Sequence, residues 1–388
     1  MKSKKNCNQI VFFTSFYPEG KTSRGPWGER FDGLYGRIFK AEKPFASSIC
    51  WYSIAEKSLY SRNLNQIIKT KKGMFSFLLK ELLRAFFSQA KTNFLIHYPC
   101  FRMREIIKNF FLIAIIKLFQ RMPGVKVFLD FLEPPLLMPE FSNNHSFLKS
   151  IVFWVLRKQE KSYLTGADVI ITGGDEMSQY LDREYGIGVG MFISIPQGVN
   201  ISNFAHELRR SEKDSFTVFY GGTMSEDRGI KELFECMDRI NRHHTVNLLC
   251  CGHVHQAMEI TDRSWLEVRT NLSYYEYIGL ITSRADVGIL PYPVNDRWGK
   301  ISISKLATYA AAGIPIISTA LPHTEKFLRF WDCGRTANDW DGIEKLIIDL
   351  YQDRKLCRSL GENARKAAKG ALDWPVLVGK LESILEFS

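Results

Sequence analysis

The chain has 388 residues, 45% of them hydrophobic, and a formal net charge of +11. That suits two domains of ordinary size, each with its own core, and the positive charge favours polyanions: nucleic acid, an anionic membrane or a phosphorylated substrate. Eight scattered cysteines without a C-x-x-C exclude a zinc pattern and a disulfide framework, and no run reaches the roughly 18 apolar residues of a membrane span. The first apolar run, in 9–15, is too short for a signal peptide and reads as a strand. Residues 16–36, rich in Gly, Pro and charge, have the composition of a functional loop, but lack G-x-G-x-x-G. The segments 74–90, 101–121 and 147–161 space apolar residues at helical intervals among Lys and Arg. Each reads as an amphipathic helix on a sheet, or as a basic, aromatic face resting on anionic lipid. Between them lie strands at 94–98 and 125–131, the second ending in Asp130 and followed by Leu132-Glu133-Pro134-Pro135. A strand at 167–174, a helix at 175–185 and a strand at 188–196 complete an alternation that implies a parallel sheet with helices on both faces.

The polar stretch 205–215 suits a linker, after which the pattern restarts. A strand at 216–220 runs into the turn 221–229 and a helix at 230–241, and strands follow at 246–252 and 265–268. A loop at 271–277, a helix to 284 and a strand at 285–291 come next. The segment 299–320 is a hydroxyl-bearing loop, a short alanine-rich helix over 305–312 with Ser304 at its N-cap, a stop at Gly313 and Pro315, and a strand at 314–319. A loop feeding a helix N-terminus presents free N–H groups to an anion. Lys305 lies in the first turn, where a cation is mildly unfavourable, so a negative group beside it is expected.

This segment resembles the nucleotide-binding stretch S-x-x-K-L-x-E-Y-x-A-x-G-x-P-I-I of GT-B glycosyltransferases, through Ser302, Lys305, Leu306, Tyr309, Ala311, Gly313, Pro315, Ile316 and Ile317. Four further stretches fall in the same order. IPQGVNISNF is similar to the I-P-N-G-V-D-x-x-x-F that ends the family's first lobe. Gly222, Thr223, Arg228 and Gly229 fall on G-R-L-x-x-x-K-G, with Thr223 in place of its arginine and Arg228 in place of its lysine. Ala285, Asp286, Val287 and Pro291 match A-D-V-x-x-x-P, and Leu360, Gly361, Asn363, Ala364, Arg365 and Trp374 match L-G-x-N-A-R…W. The resemblance covers the chain from about 190 onward; before that it is one of architecture alone.

It implies an α/β fold of two doubly wound Rossmann-like domains facing a cleft: an acceptor domain over 1–204, a sugar-nucleotide domain over 205–373, and a C-terminal helix, 374–388, packing back on the first. The donor would meet Gly222, Thr223, Arg228, Ser302, Ser304, Lys305, Thr308 and Tyr277, and the acceptor Glu29, Arg30 and Asp32 of the first loop. Arg228 by itself reads better as a surface arginine in a strand–helix turn. No cofactor and no metal are expected, since cations and a helix dipole take the charge of the departing diphosphate. The E-x7-E of the family's retaining members is replaced by Lys300 and Thr308, which is more like the inverting glucuronosyltransferases that extend lipid-linked exopolysaccharide repeats. An inverting transfer needs a base. The candidates are Asp130, whose apolar neighbours would raise its pKa, and Glu133, with Glu29 and Asp32 behind them. The function implied is transfer of a sugar from a nucleotide-diphosphate sugar to a glycan or lipid-linked acceptor in cell-surface polysaccharide synthesis. The expected location is the cytoplasm, peripheral to the anionic inner face of the membrane. The alternative is a non-catalytic binder of the same fold. Nucleic acid is not an expected partner, because no binding motif accompanies the charge.

Overall fold

Short runs of β-branched and aromatic residues supply the strands, and glycines and polar turns separate them. A computed structural model of the chain describes residues 9–14, 30–40, 48–53, 57–63, 66–87, 91–98, 106–131, 147–204 and 215–387. Two units emerge: Met1–Pro196 with Pro375–Ser388, and Gln197–Trp374.

The first unit holds β1 (Gln9–Thr14), β2 (Ser48–Ser53), β3 (Ser58–Asn63), β4 (Gln66–Lys71), β5 (Thr92–Tyr98), β6 (Val125–Phe131), β7 (Val169–Thr172) and β8 (Phe192–Ser194). They form one sheet in the order β4-β3-β2-β1-β5-β6-β7-β8. From β2 to β8 all neighbours are parallel. The chain works outward from β1 in both directions, which is the doubly wound pattern. A feature absent from the sequence reading is the antiparallel extension β2-β3-β4 at one edge. Its outermost strand carries Lys69 and Lys71, a common way of discouraging further strand pairing. The helices are α1 (Arg37–Lys40), entered through the π-helical turn Phe31–Gly36, then α2 (Met74–Phe87), α3 (Ile106–Gln120), α4 (Phe147–Leu164) and α5 (Asp175–Tyr185).

The second unit holds β9 (Phe216–Gly221), β10 (Val246–Cys251), β11 (Leu266–Arg269), β12 (Val287–Leu290), β13 (Ile316–Thr319) and β14 (Gly334–Ala337). The order is β11-β10-β9-β12-β13-β14, and every pairing is parallel. In units of chain order this is 3-2-1-4-5-6, with the reversal between β9 and β12. Its helices are α6 (Ile230–Ile240), α7 (Tyr274–Arg284), α8 (Ser304–Ala311), α9 (Pro322–Trp331), α10 (Trp340–Gln352) and α11 (Arg354–Ala367). Successive strand residues feed two cores: Phe219, Leu249, Leu290 and Ile316 on one face, Val218, Leu248, Ile289 and Ile317 on the other. Burial on both faces is why these strands read as unbroken apolar runs. Gln197–Phe204, which the sequence reading assigned to the first domain, lies in the second unit, where Val199 N–H donates to Leu372 O and Trp374 N–H to Val199 O.

The last helix, α12 (Trp374–Phe387), returns to the first unit. There Lys380 Nζ donates to Ser194 O at 2.7 Å, and Asn93 Nδ2 to Leu385 O at 2.8 Å. Among the described residues Cys50, Cys236, Cys250, Cys251, Cys333 and Cys357 are buried free thiols, and no helix is long and apolar enough to cross a membrane.

Candidate functional site

In a doubly wound sheet, ligands meet the carboxyl ends of the strands where the order reverses. In the second unit that place is the end of β9, at Gly221-Gly222, beside the end of β12, at Pro291-Tyr292. Gly222 has φ 137°, a left-handed value that disfavours any side chain, and a Cβ there would strike Lys305 Cε. The bare backbone of Gly222 is therefore what gives the lysine its place. Lys305, in the first turn of α8, donates from Nζ to Tyr292 Oη at 2.6 Å and lies 5.3 Å from the centre of that ring. The ring of Tyr220, the residue before Gly221, is 5.8 Å away.

Arg228 comes to the same place from the turn after β9. Its guanidinium lies over Trp298, 5.7 Å from the ring centre, and Trp298 packs on Tyr292 with centroids 4.3 Å apart. Burial works against the Arg228 charge, but the neighbouring Tyr292, Tyr220 and Asp227 outweigh it, so its pKa is raised and it stays a cation. Trp298 is fixed by its Nε1–H, which donates to Asp227 O at 2.9 Å. Tyr277 of α7 completes the group, its hydroxyl lying where a Cβ on Gly221 would go.

The scaffold beneath is held by Tyr309. This buried residue of α8 packs its ring on the bare Cα of Gly288 in β12, and its hydroxyl accepts the Gly221 N–H at 2.9 Å. Tyr309→Phe leaves that buried N–H without its acceptor. The expected loss is about 1–3 kcal/mol of unfolding free energy, read from a urea transition.

Of the expected donor residues, the structure brings Gly222, Arg228, Lys305 and Tyr277 together. Thr223 offers its carbonyl to Tyr220 Oη at 2.7 Å. Ser302 lies in the loop before α8, its Oγ 3.5 Å from His323 Nε2. Ser304 is not the N-cap of α8: the cap position is Ile303, with no side-chain bond, and Ser304 is the first helical residue. Thr308 is half-buried one turn further on. Sequence reading missed Tyr220, Tyr292, Trp298 and His323. An aromatic between two prolines, Pro291-Tyr292-Pro293, with Trp298 five residues on, was the available signal, but a loop has no periodicity to show where its side chains go.

In the first unit the candidate base and acceptor residues fall otherwise than expected. Asp130, at the carboxyl end of β6, is wholly buried and paired with Arg30, which is also wholly buried. Arg30 donates from Nη2 to Oδ1 at 3.0 Å and from Nε to Oδ2 at 3.2 Å. Its Nη1 donates to Ile195 O and Pro196 O at 2.9 and 3.1 Å. His97, opposite Asp130 on β5, brings Nδ1 to 3.7 Å from Oδ2. Burial alone would raise the Asp130 carboxyl, but Arg30 and His97 overcome it and hold it at about 2. Two expectations are thereby corrected. Asp130 is not a carboxylate with a raised pKa, because a guanidinium has its charge in a fork. Arg30 is not open to an acceptor, because its donors face Asp130 and two carbonyls. The backbone of Asp32 lies in the turn Phe31–Gly36; Glu29 and Glu133 lie outside the described residues. Among the described residues no three His, Cys, Asp or Glu side chains are grouped so as to hold a metal ion.

No family model matches the chain, and no curated protein matches it in sequence. Solved structures match it over nearly its whole length. Sucrose-phosphate synthase from Thermosynechococcus elongatus superposes with a TM-score of 0.62 at 15% identity, covering 97% of this chain and 98% of that one. An α,α-trehalose-phosphate synthase (UDP-forming) from Burkholderia vietnamiensis gives 0.62 at 11%, covering 97% and 96%. HepE from Anabaena, solved in complex with UDP-glucose, gives 0.60 at 11%, covering 98% and 100%. Two sheets of doubly wound order, matched end to end by these enzymes, make this chain a GT-B fold.

Proposed function

We propose that the chain is a glycosyltransferase that takes a sugar from a nucleoside-diphosphate sugar. The observation that carries this is the convergence of Lys305 and Arg228 on Tyr220 and Tyr292, with Lys305 against bare Gly222, at the reversal point of a 3-2-1-4-5-6 sheet. Two cations beside a helix N-terminus and a glycine backbone suit a diphosphate. The UDP and UDP-glucose complexes of HepE lend support to a nucleotide of that kind. In the reaction the acceptor hydroxyl oxygen attacks the anomeric carbon, the bond to the diphosphate breaks, and the hydroxyl proton passes to a base. Lys305 and Arg228 stabilise the charge that develops on the leaving diphosphate. Tyr292 and Trp298 hold the two cations in position.

Lys300 and Thr308 stand where retaining relatives of the fold carry glutamates, so the reading is an inverting displacement, with Glu133, just beyond β6, as the base. The acceptor is a glycan or lipid-linked sugar of a surface polysaccharide, met at the anionic inner face of a membrane. The same loss of glutamates favours a second reading, a sugar-nucleotide binder without turnover. Incubation with a panel of sugar nucleotides, following release of the free nucleoside diphosphate, separates the two. Release from one donor, faster when a glycolipid extract is added, supports transfer. Saturable binding without release supports the binder, and neither binding nor release rejects both.

A further inference from the structure

The helices α2, α3 and α4 form one layer on the first unit's sheet, α3 lying between the other two and touching both. The inward sides of these helices are buried. Their outward sides are unusual. On α2 the exposed residues include Leu79, 55% exposed, and Leu83, with Lys80 and Arg84 between and beside them. On α3 they include Phe110, 51% exposed, and Leu118, with Lys117 in the same turn and Arg121 just past the end. On α4 they are Ile151 and Trp154, the latter 61% exposed, followed by Lys158 and Lys161. Lys158 Nζ lies 5.7 Å from the centre of the Trp154 ring.

The charge that these three helices contribute to this face has one sign, and the exposed Arg157 of α4 is paired with Glu184 of α5. The three helices contain only two carboxylates, and both point inward: Glu81 accepts from Gln9 Nε2 at 3.0 Å, and Glu160 from Tyr185 Oη at 2.5 Å. A helix face that meets only water ordinarily mixes both signs and keeps large apolar groups sparse. Here large apolar side chains recur on three adjacent helices, each with lysine or arginine beside it. Such a face suits the boundary of a bilayer, where the apolar groups enter the acyl region and the cations meet anionic headgroups. We infer that the outer face of α2, α3 and α4 docks on an anionic bilayer surface, leaving the chain peripheral to it. A second copy of the chain is the poorer occupant, because a twofold contact sets this basic face against itself. The inference stands on observations separate from those at Gly222 and Lys305, so either can fail alone.

The test is flotation of the intact chain with vesicles of phosphatidylcholine, alone or mixed with phosphatidylglycerol, at low and high salt. Two surface variants accompany it: Lys80→Glu/Lys117→Glu/Lys158→Glu, and Trp154→Gln. The expected result is binding to the mixed vesicles only, weakened by salt. Partitioning should fall about tenfold or more in the triple variant and measurably in Trp154→Gln, while nucleotide binding is unchanged in both. Three results overturn the inference: equal partitioning to both vesicle types, none to either, or full binding by the triple variant. So does a concentration-dependent dimer of the intact chain that Trp154→Gln abolishes, since the face would then be covered by a second copy.

Discussion

Replacing Asp130 by Asn is expected to destabilise the chain by about 3–5 kcal/mol, because it strands a buried guanidinium. Arg30 has no exposure to solvent, and Asp130 is the carboxylate it grips with two nitrogens. Asn can still accept one hydrogen bond but supplies no charge. A loss of that size is a large share of the few to fifteen or so kcal/mol that hold a domain together, and it should appear as a lower midpoint in urea. Replacing both partners by apolar residues of similar volume, Arg30→Met with Asp130→Leu, should recover much of the loss, since removal of one partner costs more than removal of the pair.

The same pair predicts an acid limb of stability. The Asp130 carboxyl is held at about 2 in the fold against 3.8 ordinarily. A depressed carboxyl contributes fully above its unfolded value and loses that contribution as the pH falls from about 3.8 through about 2. Within that window the stability of Asp130→Asn should depend less on pH than that of the parent chain. Turnover per folded molecule should fall far less in this variant than the roughly 10²–10⁴ that follows loss of a general base.

The second large effect is at Lys305. Lys305→Ala is expected to lower donor cleavage by about 10²–10³, the scale on which one donor to a developing oxyanion is lost. The melting temperature should change little, because the lysine is only half-buried and its removal leaves Tyr292 packed on Trp298. Gly222→Ala reaches the same residue from the other side: the new methyl takes the space of the lysine stem. Its loss of cleavage should therefore resemble that of Lys305→Ala, with an added stability cost from a side chain at φ 137°.

How much of this could be read beforehand differs between the two units. In the second, strands such as FTVFYG, VNLLCC and IIST are buried on both faces and stand out as apolar runs. Between them the glycine turns and the Ser302–Lys305 loop carry local signatures, so β9 to β13 and half of the candidate site were legible, whereas the edge strand β14, GRTA, was not. Tyr292 and Trp298 were not, since they meet Lys305 and Arg228 only because β12, α8 and the turn after β9 end side by side. In the first unit the hairpin β3–β4 went unread: SLYSRN and QIIKTK are short and mostly polar, and residues 67–71 of β4 are exposed on both faces. The Arg30–Asp130 pair spans 100 residues. An arginine in a Gly- and Pro-rich stretch looks like a solvent-facing charge, and an aspartate at a strand end looks available. Neither residue has a local pattern that announces a buried partner.

The central claim is that a nucleoside diphosphate binds at Gly222 and Lys305. The most direct test is a calorimetric titration of the intact chain with UDP, GDP, ADP and dTDP in turn, repeated with Lys305→Ala. One of these should bind with a stoichiometry of one, and Lys305→Ala should weaken it by about 1.5–3 kcal/mol, as for a lost hydrogen bond to a charged group. Absence of binding by all four, or binding of equal strength in the parent chain and in Lys305→Ala, would contradict the claim.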